Sequence, residues 1–424
     1  MYTISEFELI KNKVLNWANR FSTFCLLDNH RYHIQPHSEE CLLAAGERRR
    51  IEAGKINRLP QLQSFINEEK GWIFGHFAYD LKNEIENLSS CRHDGIGFSD
   101  YFFFEPEVVI KIKPGYLHIT ATDPDKCYDE IMSISSEVVV MKQELTPVKS
   151  RYSKQEYISV IDNLKKHILR GDCYEINFCQ EFYSEQAVVN PVALYKKLSA
   201  ISPNPFSALY KLKDKWLVCA SPERFLGKQN QTIFSQPIKG TSGRLTADRQ
   251  KDEESKVWLY NSSKDRSENV MVVDLVRNDL SKVCEEGTVK VDELFGIYSF
   301  PQVHQMISTV SGTLNNNVPF TEIIRATFPM GSMTGAPKKR VMELIEQYEQ
   351  TKRGIFSGAV GYINPDGDFD FNVVIRSIMY NETTSYLSYL VGSGITWYCE
   401  AEKEWEECLL KAGAIKMVLS DNKY

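Results

Sequence analysis

At 424 residues, with 42% hydrophobic and 25% charged side chains, the chain has the balance of a large globular protein with a full buried core. The net charge of −6, with both signs interleaved, offers no basic face for nucleic acid or an anionic membrane. No apolar run approaches the ~18–20 residues of a membrane span, and MYTISEFELIKNKV lacks a signal-peptide core, so a cytoplasmic location is expected.

Ten cysteines are scattered without a CxxC pair, which reads as reduced thiols and not as zinc or redox chemistry. Residues 121–155 are polar and loop-like around Pro124 and Pro147, and a boundary near residue 148 divides an N-terminal subdomain (1–148) from a catalytic domain (149–424). The second part opens with a helix: Ser153 and Glu156 form a capping box, Tyr157, Ile161, Leu164 and Ile168 recur at helical spacing, and Gly171 ends it. In CYEINFCQEF, Tyr174, Ile176 and Phe178 share one face of a strand, and Glu175, Asn177 and Cys179 the other. WLVCASPERFLG and TIFSQPIKGTSG read as further strands. Long helices are expected over Asp265–Val283 and Glu400–Leu419. The irregular alternation of strands and helices favours an α+β fold.

Polar residues that could carry chemistry gather at the ends of these elements. Glu404, Glu407 and Lys411 fall within roughly a 60° arc of the last helix, beside a stripe of Trp405, Leu409, Ala412 and Leu419. They form either a solvated face with an i,i+4 Glu–Lys pair or a set of carboxylates that needs a cation. Glu268 poses the same alternative ahead of VMVVDLV. Hard carboxylate oxygens with few other ligands suit Mg²⁺. Lys239 lies in PIKGT: it is either a surface lysine or a nucleophile whose pKa is lowered by burial or by Arg224 or Arg244. Glu223 is either a surface partner of Arg224 or a proton donor to a leaving hydroxyl. GSMTGAPKK lacks the spacing of a phosphate loop. His167 and His304, the histidines after residue 150, have no serine or cysteine partner motif.

The order PIKGTSGR, SENVMVVDLVRNDL, FPMGSMTGAPKKRVMELI, GAVGY, VIRS, GSGI and EWEECLLKA resembles the chorismate-binding enzyme family over about residues 151–418, with GWIFGHFAYDL as the best N-terminal match. The resemblance implies two large, mainly antiparallel sheets packed together with helices outside. It implies Mg²⁺ ligands at Glu268 and Glu407 with Glu404 close by, and a ring-carboxylate site at Arg376 and Lys411 beside the amides of Gly392, Ser393 and Gly394. It further implies an acid for the departing 4-hydroxyl at Glu223 and substrate contacts at Thr241 and Gln305.

Two positions sort the family's branches. Isochorismate and salicylate synthases activate water with a lysine where this chain has Glu175, which disfavours a water-adding reaction. Anthranilate synthases carry alanine at the third position of PIxGT. Lys239 is the variant of aminodeoxychorismate synthase component I, where the lysine attacks ring carbon 2 before ammonia adds at carbon 4. The product would be 4-amino-4-deoxychorismate for p-aminobenzoate and folate synthesis, with ammonia from a separate glutamine amidotransferase, because no glutaminase module is legible here. The alternatives are anthranilate synthase component I and a silent chorismate- or tryptophan-binding regulator. Three departures stand out: Gln305 fills the slot of a family histidine, with His304 next to it, Phe356 replaces a frequent tyrosine, and Leu26-Leu27-Asp28-Asn29 resembles a tryptophan-pocket motif without its serine.

Overall fold

The computed structural model describes residues 1–32, 41–54, 58–137 and 145–420. Among these, two antiparallel sheets of twelve and ten strands carry the fold, with helices packed outside, as the α+β expectation required. In the larger sheet, Thr23–Asp28, Phe206–Leu212, Lys215–Ser221, Ser377–Asn381, Tyr386–Ile395 and Glu175–Ser184 lie side by side. The smaller sheet runs from Ile238–Gly243 through Val303–Thr313, Thr232–Gln236, Arg224–Gln229 and Phe369–Asn372 to Ala359–Ile363 and Ile73–Phe77. Strands from both sides of residue 148 therefore share both sheets.

Alternation along the strands builds two cores. Leu26, Leu43, Phe178, Leu209 and Trp216 face the helices Phe7–Ala18, Lys154–Leu169 and Pro191–Ile201. Their neighbours Cys25, Leu42, Cys179, Tyr210 and Leu217 face the other way and pack with Phe77, Phe103, Leu226 and Phe371 of the smaller sheet. At roughly 1.5–3 kcal/mol per buried large apolar side chain, this double use of each strand gives both faces a strong preference for one register.

The Ser153 helix forms over Lys154–Leu169, with both halves of the capping box made. Three expectations are corrected. The segment around Pro124 is not loop but the helix Pro124–Ser133: Asp123 caps it and Pro124 occupies the first turn, where a missing N–H costs nothing. The terminal helix is two helices, Ala401–Lys411 and Gly413–Ser420, separated at Ala412. On the first of these Glu404 is buried while Trp405 and Leu409 are half-buried, so a carboxylate goes deeper than the apolar stripe. Among the described residues no helix is long and apolar enough to cross a membrane.

Candidate active site

A cavity of about 690 Å³ opens where strand ends of both sheets meet the helices Ser263–Ser281 and Ala401–Lys411. Its wall includes Glu223, Lys239, Thr241, Glu268, Gln305, Phe356, Arg376, Gly392, Gly394, Glu407 and Lys411. Residues that are far apart in sequence are thus brought to one space.

Local backbone explains how Lys239 gets there. Gly240 has φ +96°, a left-handed conformation in which a side chain would also meet Asp265, and the pairing with Val303–Thr313 slips by a bulge between Ile238 and Thr241. The bulge re-aims Lys239 inward, and Asn269 of the adjacent helix donates to the Lys239 carbonyl at 3.4 Å. The Lys239 amine is buried and paired with Glu175. Burial opposes its charge, but Glu175 and Glu268 outweigh burial and raise its pKa. This overturns the expectation of an amine neutralised by Arg224 or Arg244. Arg224 is clamped by both oxygens of Asp370 at 2.9 Å, and Arg244 by Asp252 at 2.9 Å.

Glu223 is almost fully buried, and burial pushes its carboxyl up to about 7, against the pull of Ser332, the Ile238 amide and Lys239. A carboxylic acid that keeps its proton near neutrality can protonate a leaving group. Glu268 is likewise raised to about 7 by burial, and Glu404 is raised by burial and by Glu407. Burial also acts on Glu407, but Lys411 at 2.6 Å outweighs it and lowers the pKa. Lys411 additionally donates to the Gly392 carbonyl at 2.9 Å, and Arg376 donates to the Lys411 carbonyl at 3.5 Å.

The structure separates some expected site residues from the cavity. Ser393 turns its hydroxyl to Tyr157 at 3.2 Å on the helix-covered face, so Gly392 and Gly394 line the wall and Ser393 does not. Glu404 lies behind the wall, reached by Lys264 at 3.5 Å. Gln305 lines the cavity, whereas His304 points away and contacts Ser299 at 2.8 Å and Asp252 at 3.1 Å. His167 contacts Asp172 and Tyr348, outside the cavity.

Among the described residues, no three His, Cys, Asp or Glu side chains converge as a self-sufficient metal site. Oε1 of Glu268 and Oε2 of Glu404 are nevertheless buried without hydrogen-bond partners. Glu268 on the cavity wall and Glu404 behind it thus keep free hard-oxygen capacity, which fits Mg²⁺, an ion that binds through few protein ligands plus waters and substrate. Oε2 of Glu175 and Oε1 of Gln305 are also unpartnered, so unmet polar capacity gathers around this one space.

Sequence reasoning passed over Asn177, Arg353 and Lys264 as contributors, and it read Glu175 as a branch marker without seeing its contact with Lys239. Asn177 donates to the Ser332 carbonyl at 3.0 Å, fixing the loop beneath the cavity. Arg353 binds both oxygens of Glu349, at 3.0 and 2.6 Å, and the carbonyls of Asn177 and Met333 at 2.7 and 2.6 Å. Lys264 stands one turn before Glu268, a spacing visible in the sequence, and Glu175 touches Lys239.

The model of chorismate binding enzymes matches residues 15–417. The chain belongs to the chorismate-binding enzyme family. This member of a family of chorismate-utilising enzymes is 36% identical over 349 residues to aminodeoxychorismate synthase component 1 of Escherichia coli, covering 82% of this chain and 76% of that one. It is 30% identical over 352 residues to anthranilate synthase component 1 of Saccharolobus solfataricus, covering 82% and 81%. Among solved structures, anthranilate synthase component I from Streptococcus pneumoniae superposes with a TM-score of 0.79 at 22% identity, over 92% of this chorismate-binding chain and 95% of that one. That likeness establishes the anthranilate synthase component I-like fold.

Proposed function

We propose that this enzyme aminates chorismate with ammonia to give 4-amino-4-deoxychorismate, through a covalent intermediate on Lys239. The observation that carries the reading is that one cavity is lined by both the buried amine of Lys239 and the buried carboxyl of Glu223, which burial pushes up to about 7. Arg376 and Lys411 bind the ring carboxylate by charge-assisted hydrogen bonds. Thr241, Gln305 and the Gly392 and Gly394 backbone orient the ring. Lys239 forms a bond to ring carbon 2 while Glu223 protonates the hydroxyl that leaves carbon 4, and ammonia then adds at carbon 4 and releases the lysine. Mg²⁺, held by Glu268 and Glu407 with Glu404 behind them, would polarise and anchor the substrate carboxylate. The relatives named component 1 support a partner component, which we assign as a glutamine amidotransferase supplying ammonia.

The decisive assay incubates the purified chain with chorismate, Mg²⁺ and ammonium and identifies the product by mass. Aminodeoxychorismate is expected, with a lysine adduct on the intact protein that is absent in Lys239→Ala. A second reading, formation of anthranilate, draws on the identity to anthranilate synthase component 1. Fluorescent anthranilate as the main product would replace the first reading by the second.

A further inference from the structure

A nucleophilic amine must be neutral, yet Lys239 is surrounded by acids. Glu175 touches it from the strand Glu175–Ser184, while Glu268 of the helix Ser263–Ser281 and Glu223 before Arg224–Gln229 raise its pKa from other sides. Glu407 of Ala401–Lys411 feels the same charge. Glu175 is the carboxylate in direct contact among the described residues, and the fold makes room for that contact. A Cβ on Gly394 would lie 2.7 Å from Oε1 of Glu175 and 2.9 Å from Nζ of Lys239. A Cβ on Gly335 would lie 2.1 Å from the Glu175 carbonyl oxygen, so the edge segment that pins this strand also needs glycine.

The pair differs from a structural one. Glu349 and Arg353, equally buried, satisfy both carboxylate oxygens with guanidinium nitrogens. In Glu175, Oε2 has no hydrogen-bond partner, which leaves the carboxylate free to accept a proton. Burial also narrows the gap between ion pair and neutral pair, because two charges in a dry site forfeit their hydration.

Building on the reading of Lys239 as nucleophile, we propose that Glu175 takes the proton of the Lys239 ammonium when chorismate fills the cavity. The N–H bond at Nζ breaks as an O–H bond forms on Glu175, and the freed lone pair bonds to ring carbon 2. The two ring double bonds each shift by one position, the bond from carbon 4 to oxygen breaks, and the oxygen leaves as water with the proton of Glu223. In the second half, ammonia adds at carbon 4, the two double bonds shift back, and the bond from carbon 2 to Nζ breaks with its electrons returning to nitrogen. The new ammonium gives a proton to Glu223, and Glu175 returns its own to Lys239. The sum is chorismate plus ammonia to aminodeoxychorismate plus water, with one proton shuttling inside the Glu175–Lys239 pair.

The test uses Glu175→Gln, which keeps the shape but cannot accept the proton, and Glu175→Asp, which keeps a carboxylate. Competitive acetylation of Lys239 by acetic anhydride from pH 6 to 10, read by peptide mass without chorismate, measures the amine's own ionisation. The Gln variant should label at least about tenfold faster at pH 8, a pKa lower by about one unit or more. Single-turnover formation of the chorismate–lysine adduct is then compared in the same proteins. The ratio of wild-type to Gln-variant rates should fall about tenfold per pH unit through the range in which the variant's amine titrates. Glu175→Asp should restore the wild-type profile at a reduced rate. Equal labelling curves, or a constant rate ratio through that range, with an intact wild-type adduct, overturn the proposal alone. Shifted labelling without any wild-type adduct removes the nucleophile reading, and the proposal falls with it.

Discussion

The helix Ser263–Ser281 carries a buried acid near each end, and the two are treated in opposite ways. Near its carboxyl end, Asp279 accepts from Lys338 and, at 3.1 Å, from Lys282, while Lys338 also donates to the Thr327 carbonyl at 2.9 Å. Near its amino end, Glu268 is as inaccessible in kind, yet Oε1 has no hydrogen-bond partner and the nearest cation on its own helix, Lys264, stands at 3.9 Å. Leaving a buried acceptor unmade costs about 1–3 kcal/mol. One end of the helix is therefore complete as folded, whereas the other retains capacity for something that arrives in the cavity. Completeness of a buried charge marks a structural role, and incompleteness beside an open space marks a ligand site.

The contrast predicts opposite responses to removing charge. Lys338→Met leaves the buried Asp279 with the half-exposed Lys282 in place of two cations and should cost up to about 3–5 kcal/mol of stability, read as a lower urea midpoint with unchanged metal affinity. Glu268→Gln removes a carboxylate whose Oε1 accepts no hydrogen bond and whose helix cation, the half-exposed Lys264, stands at 3.9 Å, so stability should stay within about 1 kcal/mol of wild type or rise, while Mg²⁺-dependent turnover collapses. A large loss of stability in Glu268→Gln would erase the distinction between the two ends. The pH dependence follows the same line. Glu223 and Glu268 keep their protons to about 7 when folded, above the ordinary carboxylate value of 4.5. Between those values the folded chain holds more protons than the unfolded one, so metal-free stability should fall as pH rises through that window. Unfolding midpoints measured from pH 4.5 to 7.5 should show a shallower fall for Glu268→Gln. An identical slope would mean that Glu268 is not the group being deprotonated.

How far the sequence foretold these arrangements depended on the distance between partners. The capping box of Ser153 and Glu156 joins residues three positions apart and was legible. So was the alternation that sends Ile176 and Phe178 to one core and Glu175, Asn177 and Cys179 to the other face. The same alternation could have told that Ser393 points away from a cavity lined by Gly392 and Gly394. Pro124 was misread because proline breaks helix interiors, yet in the first turn its missing N–H is an orphan in any case. The partner of Lys239 was out of reach: Glu175 is 64 residues away, and they meet only because the two sheets pack face to face. Sequence neighbours such as Arg224 and Arg244 looked like the charges that would tune it, but Asp370 and Asp252 claim them.

The smallest expected effect belongs to Lys264. Its amine stands 3.5 Å from Glu404 and 3.9 Å from Glu268, and its side chain is 52% exposed. Burial lowers its pKa, but Glu404 and Glu268 outweigh this and raise it. It thus places a loosely held positive charge between two carboxylates that an incoming divalent cation would also seek. Because the stem is flexible and half in water, moving the amine aside should cost no more than about 1 kcal/mol. Lys264→Met keeps the stem and removes the competitor. Calorimetric titration of Mg²⁺ into the chorismate-free chain should show binding tighter by up to about fivefold, the equivalent of that energy. The metal-free variant should also melt a few degrees lower, roughly 2 °C for about 1 kcal/mol in a chain of this size, and saturating Mg²⁺ should restore the difference. Lys282→Met, at the completed end of the same helix, should leave the Mg²⁺ titration unchanged. If Lys264→Met binds Mg²⁺ with the wild-type constant, Glu268 and Glu404 are not facing the cation, and the open end of the helix is open for a different reason.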